Sequence, residues 1–239
     1  MARRLHLIAV LTAAVVGLAC TVEPPGSDPF SSTAPSPAVS STVPGEQEDG
    51  TMTEEEFQGD LEGAIDVAER YWTAQFDASG SSFTPIRRVI PYQSAGEVSC
   101  AGEPLPANNA VYCSAGDFIA YDVDWAVVVF RRIGDAFLFY FLGHEYAHGV
   151  QVRLGESFRF TVQQELQADC MAGAYIGDSV RARALNLQDG DLDELRAGLE
   201  AVGDDPDQPW FAPGSHGSAE QRTRAFFNGY ENSLSACDL

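Results

Sequence analysis

The spacing of apolar residues predicts that the first folded element is a helix over residues 54–77. Thr53-x-x-Glu56 resembles a capping box, in which two side chains satisfy the unpaired N–H groups at the start of a helix. Apolar residues then recur at helical spacing, at Phe57, Leu61, Ile65, Ala68, Trp72 and Phe76. Gly80 marks the expected end of this amphipathic helix.

Residues 81–122 lack this period and predict a different kind of structure. They contain four prolines and several short runs of β-branched and aromatic residues. Such runs, bounded by turn-forming residues, are typical of short strands. We therefore expect a small, irregular β-region with strands around Arg88–Tyr92, Ala110–Cys113 and Phe118–Tyr121.

The strongly apolar stretch 123–143 predicts helices inside a folded domain. Charged residues interrupt it and exclude a membrane span, among them Arg131, Arg132 and Asp135. Two helices fit better, over about 123–132 and 135–154. The second opens with seven consecutive apolar residues, and a helix that is apolar on every face lies in the interior of a domain.

Three more helices are predicted toward the C-terminus, at about 161–182, 191–202 and 218–230. Ser218-x-x-Gln221 supplies a capping signal for the last of them. The predicted fold class is therefore α+β and predominantly helical, with a small irregular β-region before the long buried helix.

The first fifty residues differ in composition from this predicted domain. Residues 1–20 contain an arginine pair and then a short apolar run, which is typical of an export signal. The run ends at Cys20 and resembles a bacterial lipobox, in which the cysteine becomes lipid-modified; ordinary signal cleavage before Cys20 is the alternative. Residues 21–50 are rich in Ser, Thr and Pro and predict a disordered tether, so the folded domain is expected at 51–239.

The charge balance excludes some classes of partner. The chain carries 14 basic residues, all of them Arg, against 35 acidic residues, for a net charge of -21. A nucleic-acid binder needs a basic surface to replace phosphate counterions, so no nucleic-acid partner is expected. The same charge disfavours anionic lipid, so membrane contact is expected through the N-terminal lipid only. The predicted location is extracytoplasmic, either lipid-anchored to the outer face of the cell membrane or secreted.

The long apolar helix carries the sequence HEYAH at 144–148. His144 and His148 are four residues apart, so both imidazoles lie on one helix face within reach of a single metal ion, and Zn²⁺ suits them best. Glu145 lies about 100° round the helix and can act as a base rather than as a ligand. The alternative is a pair of core histidines satisfied by hydrogen bonds, but it leaves a charged Glu145 unexplained inside an apolar helix.

A catalytic zinc ion needs a third protein ligand and one position left open for water. The metzincin arrangement is excluded, because Gln151 and Leu154 occupy the places of its glycine and its third histidine. On the next predicted helix, Glu165 can complete the ligand set, and Asp169 can accept a hydrogen bond from a ligand histidine. HExxH followed by ExxxD resembles the gluzincin pattern. For the two acids alone, a solvated helix face is the alternative.

Further short motifs are spread over most of the predicted domain. They are Tyr112-Cys113, Asp122, HEYAHGVQ at 144–151, ELQADCMAG at 165–173, GDD at 203–205, HGSAEQR at 216–222 and Cys237. Together they resemble the family of bacterial putative neutral zinc metallopeptidases. The resemblance implies a zincin-like peptidase domain that holds one zinc ion per chain and acts on a protein or peptide. The family often has Gly and His where this chain has Ala147 and Gly149, but neither position is a ligand.

The resemblance also assigns expectations to residues near the C-terminus. His216 precedes the last predicted helix, and by analogy with gluzincins it can stabilise the oxyanion of a tetrahedral intermediate. A histidine that caps or packs against the start of the helix is the alternative. Arg222 can orient a carboxylate or fill a structural ion pair.

Four cysteines follow Cys20, and an even number in an oxidising compartment indicates two disulfides. Four cysteines allow three pairings. Loop length and the family resemblance together suggest Cys100–Cys113 and Cys170–Cys237. Zinc ligation by cysteine is disfavoured because the chain contains no CxxC pair.

The sequence therefore predicts a zinc peptidase whose substrate and oligomeric state it leaves open. His144, His148 and Glu165 would hold Zn²⁺, and Glu145 would act as the general base. The competing hypothesis is a catalytically inactive, zinc-stabilised envelope domain that binds a protein partner. The presence of Glu145 favours the peptidase, because a structural zinc site has four protein ligands and no use for a base.

Overall fold

Six α-helices and two small sheets make up the part of the chain that the structure, a computed structural model, describes: residues 53–205, 207–209, 211–212 and 214–238. In chain order the elements are α1 (Glu54–Ala78), β1 (Arg88–Tyr92), β2 (Ser99–Cys100), β3 (Glu103–Pro104), β4 (Ala110–Cys113), β5 (Phe118–Asp122), α2 (Val123–Ile133), α3 (Ala136–Leu154), α4 (Thr161–Arg181), α5 (Asp191–Ala201) and α6 (Ala219–Asn232). A short 3₁₀ helix, Leu234–Ala236, follows. The predicted class, α+β and predominantly helical, is confirmed.

The predictions for the N-terminal segment lie outside the described residues. They are the signal at 1–20, the lipid-modified Cys20 and the tether at 21–50, and with them the domain boundaries stay predictions. Within the described ranges, no helix combines the length and the apolar character needed to cross a membrane.

Each helix that the sequence predicts is present, with ends within two residues of the expected positions. Local capping explains this agreement. The Thr53 hydroxyl accepts a hydrogen bond from the Glu56 N–H, and the Glu56 carboxylate accepts one from the Thr53 N–H. Ser218 and Gln221 form the same reciprocal pair at the start of α6. Gly155 ends α3 in the left-handed conformation, at φ 74°.

The larger sheet has the strand order β1-β5-β4, which the sequence predicts only in part. Its three strands match the predicted runs, but the parallel pairing of β1 with β5 joins strands that are separated by β2, β3 and β4. β4 pairs with β5 antiparallel and forms an edge of the sheet. The two-residue strands β2 and β3 were not predicted, because such short strands carry no readable alternation.

Helix α3 lies in the interior, as the apolar run at its start predicts. Fourteen of its nineteen residues are buried, so the helix has almost no solvent-facing side. It packs against α1, α4, α5 and the edge strand β4. The HEYAH segment is therefore held by contacts on several sides, which fixes the directions of its side chains.

Helices α4 and α6 approach each other through glycines. A Cβ atom on Gly173 would lie 1.9 Å from the carbonyl oxygen of Phe226, and one on Gly229 would lie 1.9 Å from the carbonyl oxygen of Cys170. Neither position can therefore carry a side chain without separating the helices. This close contact fixes α4, the helix that carries Glu165 and Asp169, against the C-terminal part of the fold.

The described residues include two disulfides, in the pairing that loop length and the resemblance suggest. Cys100 bonds to Cys113 and joins β2 to β4. Cys170 bonds to Cys237 and joins α4 to the end of the chain, 67 residues further on.

Candidate metal centre

Helices α3 and α4 bring the three predicted ligands together. The ligand atoms of His144, His148 and Glu165 all lie within 4.8 Å of one another. The two Nε2 atoms are 3.2 Å apart, and Glu165 places one oxygen 3.1 Å from Nε2 of His144 and the other 3.6 Å from Nε2 of His148. The i,i+4 spacing and the contact between the two helices thus produce one converging set of donors.

The other nitrogen of each ring has a hydrogen-bond acceptor. Nδ1 of His144 lies 2.8 Å from an oxygen of Asp169, and Nδ1 of His148 lies 2.9 Å from the side-chain oxygen of Gln151. Gln151 is itself held, because its amide group donates to the Gln164 carbonyl. When a metal ion is bound, these acceptors favour the neutral tautomer that carries its proton on Nδ1, which leaves both Nε2 lone pairs free to bind the ion.

This donor set fits a zinc ion. Two neutral imidazole nitrogens and one carboxylate are the ligands found in one class of catalytic zinc sites, which leave a further position for water or substrate. Two converging nitrogen lone pairs repel each other unless a proton or a metal ion lies between them. Of the described His, Cys, Asp and Glu side chains, no fourth one belongs to this group.

A buried network holds Asp169 behind the histidines. Arg222 donates from Nε and from Nη2 to the two oxygens of Asp169, each over 2.9 Å, and from Nη1 to the Val202 carbonyl. The Tyr140 hydroxyl donates to Asp169 over 2.8 Å and lies 2.8 Å from Nη2 of Arg222. Asp169 is fully buried and Arg222 is 4% exposed. The two roles considered for Arg222 are therefore combined, since it forms a structural ion pair and orients a carboxylate.

The charges in this network shift the acid–base behaviour of its members. Burial disfavours the ionised form of Asp169, but the positive charges of Arg222 and His144 outweigh burial and lower the pKa of the carboxyl group. Burial likewise disfavours protonation of His144, yet the charge of Asp169 and hydrogen bonds to Asp169 and Glu165 raise its pKa to about 10. In the metal-free protein, positive charge therefore accumulates between these carboxylates, in the place that suits a cation.

Glu145 lies beside the converging donors and outside the ligand group. It lines a cavity of about 510 Å³, here called the cleft, together with His144, His148, Glu165, His216 and Arg222. One oxygen of Glu145 accepts a 2.6 Å hydrogen bond from the main-chain N–H of Tyr112 in β4. Glu145 therefore faces the same cleft as the three converging donors, and its role as a base stays a prediction.

His216 lies at the rim of the cleft, with half of its side chain exposed. Its Nδ1 is 3.5 Å from one oxygen of Asp204. The other oxygen of Asp204 accepts from the Ser215 hydroxyl and from the main-chain N–H groups of His216 and Gly217. Burial raises the pKa of Asp204, but the hydrogen bonds from Ser215 and Gly217 outweigh it and lower the pKa. Asp204 thus shapes the loop that carries His216.

Sequence reasoning missed three residues that support the site. Gln151 lies three residues after His148, and Tyr140 lies four residues before His144, so helical spacing alone could have placed both on the same face of α3. In the sequence, Asp204 is only part of the GDD motif at 203–205, and no helical or strand spacing links it to His216. Only the folded chain shows which contacts they make: Gln151 with His148, Tyr140 with Asp169, and Asp204 with His216.

The chain is similar to curated proteins and to one family of proteins. Two curated relatives, both with the name "Uncharacterized protein YpfJ", come from Escherichia coli strain K12 and from a second Escherichia coli strain. Each is 29% identical over 191 residues, which cover 70% of this chain and 65% of the relative's length. No solved structure matches the chain significantly. The family model described as "Putative neutral zinc metallopeptidase" matches residues 5–239, and the chain belongs to that family.

Proposed function

We propose that this chain is a zinc-dependent peptidase that hydrolyses peptide bonds in a protein or peptide substrate. The observation that carries the proposal is the convergence of His144, His148 and Glu165 in a cleft that Glu145 also lines. Membership of a family described as zinc metallopeptidases supports a peptidase-like role. The zinc ion, the residue roles and the substrate class are part of the proposal.

In this proposal five residues that line the cleft have defined tasks. His144, His148 and Glu165 hold the zinc ion, which supplies a Lewis acid that acidifies water and polarises a carbonyl group. Glu145 takes the proton from the attacking water and passes it to the departing amine. His216 donates a hydrogen bond to the oxygen that gains negative charge, while Asp204 orients the imidazole ring of His216.

The support for a catalytic rather than a structural zinc site comes from the number of ligands and from Glu145. A structural zinc ion is enclosed by four protein ligands, whereas three side chains converge here among the described residues. A carboxylate that lines the cleft without belonging to the ligand group can act as a base, a role that a purely structural zinc site does not need. Both features favour hydrolysis over an inactive domain that only binds a partner.

The proposal is tested by digesting an unbiased peptide library with the zinc-loaded protein. We expect the wild type to cleave, and Glu145→Gln to lower kcat by about 100- to 10,000-fold at equal zinc content, because general-base catalysis contributes that much. Glu156→Gln is the matched control, since Glu156 is exposed just beyond the end of α3. Its activity should equal that of the wild type.

Two results would contradict the proposal in different ways. A wild type that binds zinc stoichiometrically but cleaves no peptide would favour the inactive, partner-binding domain. Equal cleavage by wild type and Glu145→Gln would leave the peptidase standing but remove Glu145 as its base.

We further propose that the protein works outside the cytoplasm and that Cys20 carries a lipid. Two disulfides fit an oxidising compartment, and the apolar run before Cys20 fits an export signal. Cys20→Ser should abolish lipid attachment and release the protein from the membrane fraction. Mature protein that lacks a lipid in the wild type would refute the anchor and leave the export unaffected.

A further inference from the structure

The main-chain N–H of Tyr112 holds the carboxylate of Glu145 from the side of the sheet. The N–H group donates to Oε2 over 2.6 Å, and both residues are buried. We infer that Tyr112 is a positioning residue: strand β4 fixes one oxygen of Glu145 so that the other faces the cleft. The inference rests on the proposed function, because it concerns the base of that reaction.

The N–H of Tyr112 can serve Glu145 because of the register of β4. In an antiparallel pair, successive residues direct their main-chain groups alternately toward and away from the partner strand. Asn109 accepts from the Asp122 N–H, so residues 109 and 111 face β5. Tyr112 therefore faces away from β5, toward α3, which packs on this edge. The N–H of Tyr112, which would otherwise be unpaired at the edge of the sheet, donates to the carboxylate of Glu145.

The side chain of Tyr112 fastens the same strand at a second point. Its hydroxyl donates to Asp117 over 2.9 Å, and Arg153 binds both oxygens of Asp117 at 3.0 and 3.2 Å. Arg153 lies on α3, eight residues or about 12 Å along the helix from Glu145. Helix α3 and the β4–β5 hairpin are thus joined at two places, and Tyr112 takes part in both. A shift of β4 along α3 would strain both contacts.

The residue after Tyr112 ties the strand to the rest of the β-region. Cys113 is buried and forms the disulfide with Cys100. Neither residue of the Tyr112-Cys113 motif is a proposed zinc ligand, and these contacts explain why both residues matter to the site. Its first residue orients the base, and its second residue restrains the strand from which that base is oriented.

Fixing the carboxylate has a consequence for the rate of the reaction. A Glu side chain has several rotatable bonds, and ordering it during each turnover costs conformational entropy. A hydrogen bond from the rigid main chain orders the Glu145 side chain when the protein folds, so the base is already aligned before substrate binds. Within the described part of the chain, Oε1 of Glu145 accepts no hydrogen bond and remains available to water in the cleft. Loss of the N–H should therefore lower kcat and leave zinc binding intact.

The first test measures amide hydrogen exchange in the zinc-free protein and needs no activity. The Tyr112 N–H faces away from its sheet partner, so its protection should depend on Glu145. We expect Glu145→Ala to raise its exchange rate at least about tenfold, whereas Glu145→Gln, which keeps an acceptor, retains most of the protection. The Val111 N–H, which faces β5, is the internal control and should not change. Equal Tyr112 exchange in wild type and Glu145→Ala would overturn the inference.

The second test removes the N–H alone. The α-hydroxy analogue of tyrosine at position 112 replaces the amide by an ester, keeps the side chain and deletes the donor. We expect kcat to fall at least about tenfold, with KM within about twofold and zinc content unchanged. The same replacement at Tyr92 in β1, away from the cleft, controls for a general weakening of the sheet and should retain the wild-type kcat.

The outcomes separate the inference from the proposed function. If the ester at position 112 keeps the wild-type kcat while Glu145→Gln loses activity, the positioning role is wrong and the peptidase stands. If the wild type cleaves nothing, the proposed function fails, and the exchange experiment still decides whether Tyr112 holds Glu145. A fall in zinc content or a rise in KM in place of the fall in kcat would indicate a purely structural contact and would also overturn the inference.

Discussion

Replacing Arg222 by methionine should destabilise the fold strongly, although its hydrogen bonds go to Asp169, Tyr140 and Val202 and not to the proposed zinc ligands. The change keeps a long side chain in place but removes four hydrogen bonds: two to Asp169, one shared with Tyr140 and one to the Val202 carbonyl. Asp169 would remain fully buried with its negative charge. A buried charge without its partner is one of the few causes of large effects from single substitutions.

The size of the effect follows from what remains around Asp169. Removing one member of a buried ion pair costs about 3–5 kcal/mol in the free energy of unfolding. Tyr140 still donates to Asp169, and His144, with a pKa raised to about 10, carries a compensating positive charge in the metal-free protein. We therefore expect a loss near the lower limit, about 3 kcal/mol.

The assay is urea unfolding followed by circular dichroism, with EDTA present and the disulfides intact. Arg224→Met is the matched control, because it lies on the same helix but pairs with Glu220 at the surface, where the two side chains are 68% and 85% exposed. An exposed pair of this kind contributes at most about 1 kcal/mol. If Arg222→Met loses no more stability than Arg224→Met, the buried network does not stabilise the fold in the manner argued.

Two other predictions concern the residues outside the ligand group. Asp204→Ala should lower kcat about tenfold with zinc content unchanged, because the ring of His216 loses the carboxylate that orients it; steady-state kinetics that match the wild type would remove Asp204 from the site. Replacing Cys170 and Cys237 together by serine should lower the free energy of unfolding by about 4 kcal/mol, since the bridge closes a loop of 67 residues. Thermal and urea unfolding of the double variant measure this loss, and a change below about 1 kcal/mol would contradict the entropic argument.

The elements that the sequence predicted correctly are those that depend on local information. Capping pairs three residues apart and apolar residues at helical spacing define the helices, so their ends agree closely. The placing of His144 and His148 on one face follows from geometry within a single helix. Glu165 lies on a second helix, and the sequence indicated it because Glu165 and Asp169 are four residues apart on the next predicted helix after HEYAH, which resembles the gluzincin pattern.

The contacts that could not be predicted join residues far apart in the chain. The Tyr112 N–H and Glu145 are 33 residues apart, and Arg222 and Asp169 are 53 apart. Sequence alone cannot distinguish an arginine that pairs with a buried carboxylate from one that lies on a solvated face. Gln151 was the exception, since it lies near His148 but was considered only as the residue that excludes a metzincin motif.

Equilibrium zinc binding to the wild type, Glu145→Gln and His148→Ala tests the central claim most directly. The account predicts one zinc ion per chain in the wild type and in Glu145→Gln, because Glu145 is not a ligand. It predicts a loss of affinity of at least about 100-fold in His148→Ala, since a ligand contributes at least as much as its supporting hydrogen bonds. A wild type that binds no zinc, or a His148→Ala variant that binds it as tightly as the wild type, would contradict the proposed metal centre.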